Sequence, residues 1–361
     1  HGGTLAWRGS PDNDNFYSFY KGKLDKKSEW CHCDHDWALV LGAIDFIASY
    51  KENKPLCVYL PIGYPHPPYC VEEPWFSMND RRKVPRRATA PENWNGKPSI
   101  LKGIWENQRL QGWTEEHWAE LRATYYGMCS RCDHQFGMLL DALKKSERYD
   151  NSAVFLFSDH GDFTGDYGLV EKTQNTFEDC LSKVPFIFKP PKNVSVKPRI
   201  CDAMVELIDF PATVYELAGI EPGYDHFGRS LLELASGKTE QHRDAVFCEG
   251  GRRYGEVQAM ELESMSSIDD TRGLYTPRIR LQITDEAPYH GKAVMCRTKT
   301  HKYVLRIYES DELYDLVSDP LEEQNRINDP ALKDIQMTLK DRLTRWLVET
   351  CDVVPRKTDL R

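Results

Sequence analysis

Asp159 and His160 stand where an apolar run stops. Ala153, Val154, Phe155, Leu156 and Phe157 precede them with polar residues on both sides, the pattern of a strand covered on both faces. In open α/β sheets ligands gather at the carboxyl ends of strands, where side chains leave the layer and meet a crevice. An Asp offers a hard oxygen and a His a ring nitrogen, and together they suit a divalent cation. Lys172 follows His160 by twelve residues. It is spaced to return to the same crevice and meet an anion. His66 sits between Pro65 and Pro67, just after the short apolar run at residues 56–60. Alone it reads either as a structural histidine locked between prolines or as a functional group at a second strand end.

The elements that must position these residues follow from periodicity. Trp37, Leu41, Ile44 and Ala48 repeat at helical spacing, with Asp34 placed to cap the helix. Residues 56–60 read as a short buried strand broken by Pro61 and the prolines that follow. Thr114, Glu115 and Glu116 open a long helix whose apolar face runs Trp118, Leu121, Tyr125, Met128, Cys132, Phe136, Leu139 and Leu143. A helix feeding a buried strand at 153–157 is the grammar of a parallel α/β sheet. Residues 184–188 give another strand, and 203–218 a helix ended by Gly219. Beyond Gly237 the pattern changes to antiparallel strands at 245–248, 293–297 and 303–307, with a closing helix over 332–347. Residues 1–33 read mostly as loop, and 249–288 as a long polar loop of the kind that is functional or disordered. The expected domains are therefore 1–238 and 239–361.

The chain has 361 residues and a net charge of −9, which argues against nucleic acid as the main partner. It does not argue against a small anionic substrate, because a pocket sets its own field. Mean hydropathy is −0.61, and no apolar stretch reaches membrane-span length. Eleven cysteines at irregular spacing point to a reduced setting rather than a disulfide framework, which favours the cytoplasm over the alternatives, periplasmic or secreted. Cys31, His32, Cys33, Asp34, His35 and Asp36 are rich in ligand atoms but have no second half, so the segment reads as loop and helix cap rather than a zinc site. Cys129 and Cys132 share a helix face and read as packing. The basic loop Arg81, Arg82, Lys83, Arg86 and Arg87 reads as solvated surface.

The stretch from Ser158-Asp159-His160-Gly161 to Lys172, then Phe177-Glu178-Asp179 and residues 184–191, resembles the sulfatase family of the alkaline-phosphatase-like superfamily. So do Pro65-His66-Pro67-Pro68-Tyr69, Asp209-Phe210-Pro211-Ala212-Thr213, Phe227-Gly228-Arg229-Ser230 and Leu313-Tyr314-Asp315-Leu316, in the family's order. The resemblance implies a sandwich with a central, mostly parallel sheet and a small C-terminal α+β domain. It also implies a metal-dependent hydrolase of small sulfated substrates; charge and hydropathy have already set aside nucleic acid and membrane as expected partners. Asp159 and His160 become metal ligands, and His66 and Lys172 catalytic and substrate-binding residues. The cation implied is Ca2+ before Mn2+ or Mg2+. Alternative readings are a phosphonate or phosphate ester hydrolase of the same superfamily, or a non-catalytic sulfatase-like binding domain.

One family feature has no match. No Cys or Ser begins the x-Pro/Ala-x-Arg pattern from which formylglycine is made. The early paired aspartates and the Gly-Lys-x-His segment are also without a match. These belong to the family's N-terminal part, where formylglycine is expected. The expectation is a chain beginning after that part, with no turnover and weak metal affinity on its own. Tyr167 stands where many family members carry His, which removes any contact that His would make.

Overall fold

The structure, a computed structural model, describes residues 6–10, 12–25, 34–256, 273–282, 288–351 and 353. Strand β1 (Tyr20–Lys23) pairs in parallel with β2 (Tyr69–Val71), and α1 (His35–Ser49) lies in the crossover between them. Asp34 caps α1 as expected, accepting from the Trp37 amide at 3.0 Å. Next come α2 (Ser99–Gln108) and α3 (Glu115–Lys145), the latter opened by Thr114. Val71, Trp118, Leu121, Met128 and Val170 pack in one apolar cluster. Ile100, Ile104, Phe163, Tyr167 and Leu169 form a second.

β3 (Val154–Phe157) pairs with β4 (Phe186–Lys189), and α4 (Asp209–Ala218) packs across them. Phe155 stacks on Phe188 with centroids 4.5 Å apart, and Phe210 of α4 meets Phe155 edge-on at 4.9 Å. Aromatic cross-strand pairs of this kind fix the register. Pro190 and Pro191 end β4, since proline has no N–H to continue a ladder.

The second half is an antiparallel sheet in the order β5 (Val246–Gly250), β6 (Ala293–Arg297), β7 (His301–Arg306) and β8 (Glu312–Asp315). Between β5 and β6 lies α5 (Thr276–Gln282), and α6 (Lys333–Thr350) closes the chain. Leu339 and Leu343 of α6 pack on Val294, Cys296, Tyr303 and Leu313. The opposite face meets Phe177 through Ala293, Met295 and Val304.

Several expectations need correction. The expected mostly parallel central sheet is not what pairs among the described residues: β1 and β2 are parallel, but β3 and β4 are antiparallel. Residues 56–60 form no strand; Val58 and Tyr59 are 42% and 79% exposed. Apolar patterning makes a segment fit to be a strand, but ladder hydrogen bonds make it one, and none reaches it here. β3 is half-buried throughout rather than covered on both faces. The helix expected from 203 begins at Asp209, because Pro211 belongs in a first turn, where its missing N–H costs nothing. β1 and β8 were not read, being four residues each and rich in polar residues. Cys31, His32 and Cys33 lie outside the described residues, and so does most of the stretch 257–287.

The two halves are joined by buried charge. Asp179, seven residues after Lys172, receives two Arg297 nitrogens at 2.9 and 2.7 Å and Lys302 at 2.8 Å. Lys302, almost fully buried, also pairs with Glu322 at 2.6 Å. Burial pushes the Asp179 carboxyl up, but Arg297 and Lys302 outweigh it and hold it down at about 2. A depressed carboxyl stabilises above its unfolded value, near 4, and that contribution disappears as pH falls toward 2. Urea unfolding is expected to show about 2 kcal/mol of acid-labile stability from this group. Asp179→Asn should flatten that part of the pH profile, and an unchanged acid limb would refute the assignment.

Candidate active site

His66 is placed by a clamp on the turn before it. The buried Asp36 carboxylate on α1 accepts from the Gly63 amide at 2.9 Å and the Tyr64 amide at 2.8 Å. Arg131, fully buried on α3, lies 4.1 Å over the Tyr64 ring and pairs with Asp34 at 2.6 Å and Glu72 at 3.2 Å. The His66 Nδ1 is 2.7 Å from the Pro67 carbonyl oxygen. A carbonyl only accepts, so Nδ1 carries the proton and Nε2 faces outward as an acceptor. Lys172 Nζ donates to that Nε2 at 3.1 Å.

Lys172 emerges from a buried stretch. Phe163, Tyr167, Leu169 and Val170 are all in the core, and the Phe163 amide donates to the Glu171 carbonyl at 3.0 Å. Tyr69 of β2 joins this stretch: its hydroxyl donates to Asp162 at 2.6 Å and accepts from the Glu171 amide at 2.9 Å. Thr164 adds two further donors to Asp162 at 2.7 and 2.8 Å. Burial raises the Asp162 carboxyl above its usual range against those hydrogen bonds. Glu171 takes a left-handed backbone, φ 69°, which a non-glycine residue adopts only when its surroundings impose it. Its carboxylate accepts from Lys172 at 2.7 Å and from Arg278 of α5.

Asp159 and His160 follow β3. The Gly161 amide donates to the Leu181 carbonyl at 2.7 Å, and a Cβ on Gly161 would lie 1.9 Å from the Cys180 carbonyl oxygen. Only glycine allows that approach, which fixes where the two side chains leave the strand. The His160 Nδ1 is 2.8 Å from the Gly161 carbonyl oxygen, so Nδ1 is the protonated nitrogen. Nε2 keeps its lone pair and stands 3.7 Å from Asp159 Oδ2. Two ligands about 2.0–2.5 Å from one ion have roughly this separation. A metal-bound His commonly donates its other N–H to a carbonyl in this way. Among the described residues, no third His, Cys, Asp or Glu joins them.

The four residues read from the sequence therefore lie close together. The His66 and His160 rings are 6.2 Å apart, Lys172 contacts His66, and Asp159 contacts His160. All are open to solvent; Asp159 is the most exposed at 85%, and Lys172 the least at 22%. Tyr167 does not join them. It is buried and donates to the Leu321 carbonyl at 2.6 Å, closing the core against the second half. Cys129 and Cys132 face inward, each thiol pushed to about 12 by burial, in keeping with packing. Sequence reasoning missed Glu171 and Arg278 as partners of Lys172, and Asp36 and Arg131 as the clamp on His66.

Solved structures with this fold include the phosphonate monoester hydrolase from Silicibacter pomeroyi, with a TM-score of 0.69 and 21% identity. The alignment covers 88% of this chain and 61% of that one. A putative sulfatase from Bacteroides thetaiotaomicron aligns with a TM-score of 0.60 and 20% identity, over 94% of this chain and 70% of that one. The architecture is thus the mixed α/β, alkaline-phosphatase-like one. The Sulfatase family matches residues 1–220, and the chain belongs to that family. An ulvan-active sulfatase from Formosa agariphila is 27% identical over 322 residues, 86% of this chain and 56% of its own length. A choline-sulfatase from Rhizobium meliloti is 24% identical over 325 residues, 86% of this chain and 54% of its own length. The chain spans about half the length of the curated relatives it matches.

Proposed function

We propose that these residues form the cation- and sulfate-binding wall of a sulfuric ester hydrolase acting on a small sulfated substrate. The observation that carries this reading is the pairing of two imidazoles of fixed tautomer. One presents Nε2 beside a free carboxylate oxygen, and the other presents Nε2 to the Lys172 ammonium. Lys172 would hold a sulfuryl oxygen by a charge-assisted hydrogen bond. His66, hydrogen-bonded to that ammonium, would orient it and stand near the leaving oxygen. Asp159 and His160 would ligate a divalent cation, which when bound supplies charge to polarise the sulfuryl group. Calcium is the ion we propose, with manganese the first competitor because one donor is an imidazole nitrogen. The nucleophile segment implied by the resemblance has no match in these residues, so we assign them recognition and positioning and derive no covalent step. We take 1–238 and 239–361 as the two domains.

Calorimetric titration with calcium and then manganese tests the cation half. Two ligands with one charge should give weak affinity, roughly millimolar, abolished in Asp159→Asn and His160→Gln. Undiminished binding in both variants would sink the metal assignment. Side-by-side calorimetric titration with inorganic sulfate and with methylphosphonate, which needs no turnover, separates the sulfatase reading from its superfamily alternative.

A further inference from the structure

We propose that Arg278 is a charge-compensating positioning residue: by neutralising Glu171 it leaves the Lys172 ammonium free to hold an anion. The inference rests on the reading of Lys172 as the sulfate contact and goes beyond it. Arg278 lies outside the residues that match the family, on a helix between β5 and β6.

The argument is one of charge in a buried place. The Glu171 side chain is only 4% exposed, and its two oxygens face different cations. Oε1 takes Lys172 at 2.7 Å and lies 3.8 Å from His66 Nε2, while Oε2 takes Arg278. The Arg278 guanidinium is 10% exposed, lies 5.1 Å over the Tyr275 ring, and also donates to the Lys172 carbonyl at 3.1 Å. It therefore holds both the carboxylate and the backbone of the lysine. Burial pushes the Glu171 carboxyl up, and Arg278 and Lys172 together outweigh it, so the group is held below its ordinary range and stays charged.

With His66 protonated on Nδ1 alone, Lys172 and Arg278 bring two positive charges and Glu171 one negative. One positive charge remains for an incoming anion. Without Arg278 the sum is zero: Glu171 would then bind Lys172 alone, and an anion would have to compete with a buried carboxylate for the ammonium. Asp162 lies nearby but is engaged elsewhere: its carboxylate accepts from the Tyr69 hydroxyl and from Thr164, not from Lys172 or Arg278. Opposite charges at contact in such a site interact more strongly than in water, so one uncompensated carboxylate is enough to weaken anion binding.

The test is calorimetric binding of inorganic sulfate to the full chain, each variant checked for a native thermal transition. Arg278→Gln is expected to weaken sulfate binding about tenfold, and Glu171→Gln/Arg278→Gln to recover to within about threefold of the parent. Arg278→Lys, which keeps the charge, should stay near the parent. Glu171→Gln alone should bind sulfate at least as tightly, because the site then carries one more positive charge. Lys172→Ala separates the two levels of the argument. If it leaves sulfate binding unchanged, the anion site is misassigned and the compensation falls with it. If it weakens binding while Arg278→Gln does not, the site stands and the compensation is wrong. Weak binding by Arg278→Lys, or by Glu171→Gln, would also overturn it, even if Arg278→Gln fails to fold.

Discussion

Asp209→Ala is expected to lower the unfolding free energy by about 3–5 kcal/mol, among the largest effects of any single substitution in this chain. Asp209 is completely buried at the first turn of α4. Its Oδ1 accepts from the Arg229 amide at 2.7 Å and from Arg243, and its Oδ2 from the Glu206 amide at 2.9 Å and Arg243 Nε at 3.1 Å. His242 Nε2 lies 3.1 Å from the same oxygen. One carboxylate thus fixes three separate stretches of chain around the helix whose Phe210 packs on β3. Burial opposes ionisation, yet the donors from His242, Arg243, Glu206 and Arg229 hold the carboxyl well below its ordinary range. Alanine would leave two amides without their partner and strip the buried Arg243 guanidinium of one of its two carboxylates, Glu206 at 3.1 Å being the other, and breaking a buried charge network in this way is what makes such losses large. Asp209→Asn keeps the shape but turns an N–H toward Arg243, so it should fall between. Chemical denaturation of the three proteins at neutral pH measures the series. A loss under about 1 kcal/mol for alanine would mean that water takes over the role of the carboxylate.

The residues proposed to do chemistry were legible because their types are unusual in their places. A carboxylate and an imidazole directly after an apolar strand, or an imidazole between prolines, are hard to explain by packing. What holds them was not legible. Arg131 sits on a helix face where a charged residue ordinarily reads as solvated. Its burial depends on Asp34 and Glu72, both remote in sequence. Glu171 reads as the polar neighbour of an important lysine until Arg278, more than a hundred residues away, is seen beside it. Periodicity finds an element's faces but not its partners, so α1 and α3 emerged with nearly correct limits while the strand pairing did not. Residues 56–60 carry a strand's composition without a ladder, whereas Tyr20–Lys23 pair despite two lysines and a glycine. Pairing is a long-range property, and a single sequence records only whether a segment is suited to it.

Lys172→Ala is expected to cost roughly tenfold to a hundredfold in affinity for inorganic sulfate, the scale of one charge-assisted hydrogen bond at a partly desolvated site. The fold should survive the change. Glu171 retains Arg278 as its partner, and Lys172 itself is a fifth exposed, so no buried charge is left alone. The loss should therefore appear in binding while the thermal transition moves little. Lys172→Arg is not a safe substitute, because a planar fork cannot sit between the His66 nitrogen and the Glu171 oxygen as a compact ammonium does. It should recover only part of the affinity. Raising chloride from low to physiological concentration should weaken binding by the parent more than by the alanine variant, since the charge being screened is absent from the latter. Equal sulfate affinity in the parent and Lys172→Ala would show that the ammonium faces its carboxylate and imidazole partners only, and that the anion, if bound at all, meets another cation of the chain.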